Sequence, residues 1–419
     1  MNRKNKSPDL SGNKKTADFK IELLVIFALL VSLGFPGNFT EIYGDNFGTA
    51  MEYTAFIIEL LAMFLSSGNS WIDVQIIDLD KKYSMLYLFV GIVFIESMLV
   101  TRDSSEQFIT CARLLVTLLF AIWLQKQFIF EHMLGLICIA QAVFVMAALV
   151  FMVRYPGKAF ESGATYTHAL RGIYSTKNGF AYELVFGILV MLCLIYLKRK
   201  HMENCRLWIG MLIVQMGLLL ACQATGALIC TFVALVPFVL VKKARIPLAW
   251  GYISFNIVFL FAVLTLMPAF EWLFEALGKD ATLTGRIPLW NQIIAVMMDH
   301  NTFTGYGYGM FWRDPKAVAL IHAGFNENSF MGTMTTGAHN VLLELWLNIG
   351  LIGIALFFAA LLYSMRNIEK LKEEQYLFSA GVLTSLLLNG LVERCLGGNY
   401  DYKIFGMFLA MAVCCNQRE

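Results

Sequence analysis

Apolar residues in this chain come in runs of about 17 to 22 separated by short polar stretches, the length needed to cross a bilayer's hydrocarbon. The runs predict membrane helices at roughly 21–35, 51–67, 84–101, 108–125, 133–153, 179–197, 207–222, 226–241, 248–268, 340–364, 376–392 and 402–415. The expected fold class is all-α: a polytopic transmembrane bundle of about 12 helices, with a large extracytoplasmic loop before the tenth. Residues 1–20 read as a basic N-terminus and 21–419 as a single transmembrane domain. No small-residue cleavage site follows the first apolar run, so an uncleaved first helix is expected.

Positive charge sets the orientation. Placing the basic N-terminus in the cytoplasm puts 20 Lys and Arg on the inner side and 11 on the outer, eight of those 11 lying in the two long loops. Long loops carry little orientation signal, so the rule favours both termini in the cytoplasm and loops 154–178 and 269–339 outside. Composition agrees with a membrane solvent: 58% of residues are hydrophobic and 15% charged, against about 25% charged in a soluble domain. A net charge of +2 with scattered basic residues gives no case for nucleic acid. The nine cysteines lie mostly inside apolar runs, without C-x-x-C or Cys/His ligand spacing, and read as packing residues.

Charged residues within apolar runs are costly and so informative. Glu96 and Arg113 fall at similar depth in successive helices and are expected to pair; Glu59 has no evident partner. Glu183 and Glu344 lie toward the outer ends of their helices, where the long loops are.

The longest loop carries Thr284-Gly-Arg286-Ile-Pro-Leu-Trp290, whose apolar positions Leu289, Ile293, Val296 and Met297 recur at helical spacing. This is an amphipathic helix, lying either on the membrane surface or against the protein. Gly305, Gly307 and Gly309 follow as a tight turn; no strand precedes them, which rejects a dinucleotide loop. Tyr306 and Tyr308 are candidates to stack on sugar rings. His339-Asn340 stands where the chain re-enters the membrane, with Gly350 and Gly353 beyond, expected on one helix face and open to close backbone approach. At that boundary a titratable imidazole reaches both water and lipid headgroups.

Taken together, residues from about 284 to 353 resemble the O-antigen ligase and polymerase family of membrane glycosyltransferases. That family shows a basic residue and a tryptophan in its large external loop, a Gly-x-Gly turn, then His-(Asn/Ser/Gln)-x9-Gly-x-x-(Gly/Thr/Tyr). Arg286, Trp290, Gly305, Gly307, His339, Asn340, Gly350 and Gly353 fill those places. The segment from Arg171 to Gly179, with Lys177 and Asn178, is similar to a second family segment. One departure stands out: many ligases have Ser-Arg-Gly at a short outer break between two mid-chain helices, where this chain reads Gln223-Ala224-Thr225-Gly226.

The resemblance implies a bacterial cytoplasmic membrane enzyme of surface polysaccharide biosynthesis (capsule, exopolysaccharide, O-antigen or lipopolysaccharide), with membrane lipids around it. Its donor would be a glycan on undecaprenyl pyrophosphate and its acceptor a second glycan. His339 is the expected base for the acceptor hydroxyl, or alternatively a donor to the pyrophosphate. Arg286 offers a fork for phosphate oxygens. Arg171 and Lys177 are candidates to complete that clamp, one of them replacing the missing arginine, or else contact headgroups. Trp290 and Asn340 join the substrate-binding set through the motif. Glu344 and Glu393 are candidates to orient His339 or the acceptor, or are boundary carboxylates. No cofactor is implied, and without a D-x-D or other metal cluster no metal is expected.

The missing Ser-Arg tilts the expectation toward a polymerase, which adds one lipid-linked chain to another lipid-linked repeat. The alternative is a ligase, which moves the finished chain to a different acceptor. A polysaccharide transporter or flippase, the reading from another class, would be marked by paired repeats around a central site, and none is evident.

Overall fold

The computed structural model describes residues 19–34, 45–66, 80–101, 104–163, 166–240, 248–266, 285–326, 337–366, 368–394, 396 and 402–416. Most of the basic N-terminus and the stretches 267–284 and 327–336 of the large loop lie outside these residues. Apart from turns, the regular structure among the described residues is helical except for one short hairpin. Its membrane helices are α1 (Phe19–Ser32), α2 (Asp45–Ser66), α3 (Ser84–Val100), α4 (Ser104–Gln127), α5 (Phe130–Arg154) and α6 (Lys177–Lys200). There follow α7 (Arg206–Ala221), α8 (Thr225–Ala234, extended by a turn to Leu240) and α9 (Leu248–Leu266). Two loop helices, α10 (Arg286–Asp299) and α11 (Pro315–His322), precede α12 (Val341–Met365), α13 (Glu373–Asn389) and α14 (Tyr402–Cys415).

All twelve apolar runs are helices, with ends within several residues of those expected. The reason is physical: in hydrocarbon a backbone must satisfy its own hydrogen bonds, so an apolar run of spanning length has helix as its available state. Five helical segments among the described residues are long and apolar enough to cross a membrane, at Lys81–Val100, Ser105–Gln127, Phe130–Arg154, Lys177–Lys200 and Val341–Lys370. Shorter apolar helices accompany them, including Arg206–Ala221, Thr225–Val239 and Tyr402–Cys415. Helices α6, α13 and α14 are buried along most of their length and form the centre of the bundle.

Loop 154–178 contains the hairpin β1 (Phe160–Gly163) and β2 (Tyr166–Leu170), pairing Phe160 with Leu170 in antiparallel register. The large loop has a core of its own. Leu289, Trp290, Ile293, Val296 and Met297 of α10 pack with Phe311, Ala317, Ile321 and the start of α12. The apolar face of α10 therefore packs on the protein rather than on the membrane surface.

The tenth apolar run is not one continuous helix. At Gly350 the backbone turns to φ 59, ψ −171, and α12 breaks. The chain from Asn301 to Tyr306 fills the break: Leu351 N–H donates to Thr302 C=O and Ile352 N–H to Phe303 C=O, each at 3.1 Å, while Tyr306 N–H donates to Leu347 C=O at 2.9 Å. Trp346 Nε1–H adds a second donor to Thr302 C=O at 2.8 Å. A Cβ on Gly350 would collide with the Phe303 carbonyl, and one on Gly305 would sit 2.7 Å from Gly350 N. The two glycine motifs are thus the two sides of one backbone contact. The shared helix face expected for Gly350 and Gly353 is replaced by this crossing, and the nearest atoms to a Cβ on Gly353 would be those of the Ile349 side chain across the break.

Candidate active site

Helix α13 ends at Gly390, whose carbonyl accepts from Val341 N–H at 2.6 Å and so ties the end of α13 to the start of α12. Three residues on, Glu393 turns its carboxylate into the space between three helix N-termini. Arg286, the first residue of α10, places Nη2 3.1 Å from Glu393 Oε1. Asn178, the second residue of α6, donates Nδ2–H to the same oxygen at 2.9 Å. His339, two residues before α12, sets Nδ1 3.4 Å from Glu393 Oε2. Helix N-termini carry partial positive charge and unpaired N–H groups, so the convergence of α6, α10 and α12 favours an anion here.

Burial alone would push the Glu393 carboxyl up. The hydrogen bond from His339 and the charges of Arg286, His339 and Lys403 outweigh it and hold the group below the ordinary value of 4.5. His339 Nδ1 faces the Glu393 carboxylate, and in the neutral tautomer that donates Nδ1–H to it Nε2 is the acceptor nitrogen, on a side chain that is 34% exposed. Of the five N–H groups of Arg286 one meets Glu393; the others have no partner among the described residues.

The turn holding His339 is built by residues the sequence singled out for binding. His339 has φ 50, a left-handed conformation that costs about 1–3 kcal/mol and needs support. Trp290, fully buried, donates Nε1–H to Ala338 C=O at 2.8 Å. Glu344, also fully buried, accepts Ala338 N–H at 2.8 Å and Trp312 Nε1–H at 3.0 Å, and pairs with Arg394 Nε at 3.1 Å. Asn340 caps α12 by accepting from Leu342 and Leu343 N–H and donates Nδ2–H to Leu391 C=O. Trp290, Asn340 and Glu344 therefore frame the turn, while His339, Arg286 and Glu393 face one another.

The glycine turn is docked as well. Gly305, Gly307 and Gly309 all have positive φ. Gln107 of α4 donates to Tyr308 C=O at 3.0 Å, and Ser97 of α3 accepts Tyr308 N–H at 2.9 Å. Tyr308 is buried by these contacts, and Tyr306 stacks edge-on against Phe311. Arg313 pairs with Glu106 at the start of α4. The expected Glu96–Arg113 pair does not form; Glu59 finds a partner in Ser32, which donates to it at 2.6 Å.

Arg171 is used within its own loop, donating to Lys158 C=O at 2.7 Å and Ser175 C=O at 2.9 Å. Lys177 reaches the break between α7 and α8. Its Nζ donates to Gln223 C=O at 3.0 Å and lies 3.4 Å from the Tyr166 ring centre. That break is where many ligases carry Ser-Arg-Gly. Sequence reasoning missed Asn178 and Arg394 as site residues; Asn178 stood inside a quoted motif, and the adjacent charges of Glu393-Arg394 beyond an apolar helix were the available sign of Arg394.

Helices and site define a polytopic α-helical membrane protein with a cationic, anion-holding cluster where its largest loop re-enters the bundle. Residues 209–358 match the O-antigen ligase family model, the family that the motifs resemble. The match contains Arg286, Trp290, His339, Asn340 and both glycine motifs; Asn178 and Glu393 lie outside it. No curated protein matches the chain.

Proposed function

We propose that this chain is a polymerase of bacterial surface polysaccharide, transferring glycan from an undecaprenyl-pyrophosphate donor to a lipid-linked acceptor at the outer face of the cytoplasmic membrane. The observation that carries the reading is the cluster at Glu393, where a base and a phosphate-binding fork are held by one carboxylate. His339 Nε2 takes the proton of the acceptor hydroxyl as its oxygen bonds to the anomeric carbon. The bond from that carbon to the donor pyrophosphate breaks, and the electron pair leaves with undecaprenyl pyrophosphate. Glu393 orients the imidazole and supports the imidazolium that forms. Arg286 presents its remaining N–H groups to the departing phosphates, which stabilises the leaving group without a metal ion.

Two phosphates call for a second cation. Lys177 is supported in that role because its ammonium stands at Gln223, beside the break where the ligases' arginine would be, and because Asn178 next to it already reaches Glu393. In Arg171 two N–H groups are committed to its own loop.

Deleting the gene and sizing the surface polysaccharide and its lipid-linked precursors tests the reading. Single lipid-linked repeats are expected. Intact long chains stranded on the carrier would replace polymerase by ligase, and unchanged glycans would remove both.

A further inference from the structure

Asn389, the last residue of α13, is fully buried, and neither polar atom of its side-chain amide has a hydrogen-bond partner among the described residues. Buried amides are as a rule paired, and an unpaired one weakens the fold that contains it. This one stands directly beneath the candidate active site. Asn389 C=O accepts from Glu393 N–H at 3.0 Å, so a helical turn continues past Gly390 and places residues 389 and 393 on one face, one above the other. Helical side chains lean toward the N-terminus of their helix, which sets Glu393 over Asn389.

The Glu393 carboxylate has room for a further donor. Oε1 accepts from both Arg286 and Asn178, whereas Oε2 meets only His339 Nδ1 among the described residues, at 3.4 Å. An ionised carboxylate offers about four lone-pair sites, so one on Oε2 is left. The other charged and titratable groups that reach Glu393 are Lys403 at the start of α14, whose Nζ donates to Arg394 C=O at 2.7 Å, and Tyr182 on α6, one turn beyond Asn178. The guanidinium of Arg394 is turned to Glu344.

We propose that Asn389 is a positioning residue of this site: a water held on its amide donates to Glu393 Oε2 and keeps that carboxylate ionised and aimed at His339. The proposal rests on the reading of Glu393 as the group that orients His339. A water there has polar partners on two sides, the amide below and the carboxylate above, as buried waters require. Taking the donor away removes a hydrogen bond from the charged form of Glu393, which raises its pKa, so that on acidification the ionised state is lost at a higher pH.

The test reads the carboxyl itself, independently of any glycan substrate. In purified full-length protein the Glu393 carboxyl band is followed across pH by infrared difference spectroscopy and assigned by its loss in Glu393→Gln. Asn389→Leu and Asn389→Val, two apolar replacements without a donor, should titrate at higher pH than the parent. Asn389→Ser, with a hydroxyl and space for a water, should lie nearer the parent. Gln215→Leu is the matched control, because Gln215 on α7 is also buried with both amide atoms unpaired but packs on Gly187, roughly 14 Å along α6 from Asn178. It should titrate as the parent does. In glycan transfer, Asn389→Leu should lower kcat about tenfold or more, the worth of one hydrogen bond to a charged group, and move the acid limb of the pH profile upward. A carboxyl titration unchanged in the Leu and Val variants, or shifted equally in Gln215→Leu, would overturn the proposal. The expected shift in a protein whose parent transfers no glycan would support the positioning and remove the polymerase reading instead.

Discussion

One carboxylate holds the guanidinium, the imidazole and the Asn178 amide in register, so the effects of changing it are specific. Glu393→Gln keeps the size and loses the charge; kcat should fall on the order of tenfold or more, as when an orienting carboxylate beside a catalytic histidine is replaced. Glu393→Asp should recover part of it, whereas a loss of folding alone would appear as lower yield with unchanged kcat. Because folding depresses this carboxyl's pKa, the stability it contributes is complete above its unfolded value and is lost as pH falls through the folded one. Acidification below about pH 4.5 should thus lower the Tm of the parent more than that of Glu393→Gln, read by thermal unfolding across pH. At His339 the decisive comparison is between two variants. If the imidazole takes a proton, both His339→Ala and His339→Gln should cost about a hundredfold or more in glycan transfer from purified lipid-linked donor. Substantial rescue by glutamine would make His339 a donor to pyrophosphate instead, and the same assay with EDTA tests the expected independence of metal. The sequence singled out Arg286 and His339 because they sit in a spaced motif, and both side chains meet Glu393. Asn178 could not be placed beside them, since its contact with Glu393 spans 215 residues and leaves no local pattern.

Among the elements, the break in α12 is the feature with the sharpest consequence. Gly350→Ala adds a Cβ against the Phe303 carbonyl and forces an L residue to φ 59. The loss should exceed the ~1–3 kcal/mol of left-handed strain alone and appear as a lowered Tm and reduced yield in detergent. Gly353→Ala, whose Cβ would press first on the Ile349 side chain and which needs no positive φ, should cost less; an equal loss would locate the constraint elsewhere. Helix ends were legible because the bilayer fixes run length. The break was not, because Ile349, Leu351 and Ile352 are as apolar as any continuous helix, and the chain that fills the gap comes from some fifty residues earlier.

For the molecule as a whole, charge placement gave an orientation that the helix packing does not address. Cysteines at Lys158 and Lys316, one in each long loop, should react with an impermeant maleimide in intact cells stripped of any outer barrier, in a background lacking other reactive cysteines. Protection at both until the membrane is broken would place the active site inside and end the proposed reaction there. The crossing at Gly350 also bears on how the molecule is joined. Residues 302–306 and 347–352 exchange main-chain hydrogen bonds, Trp290 grips Ala338, and Trp312 grips Glu344. These contacts hold His339 beside Arg286 independently of the covalent path from one to the other. A polypeptide severed within 327–336 and co-expressed as two pieces should reassemble and co-purify, its C-terminal piece of three helices completing the active site of the first like a key left in its lock.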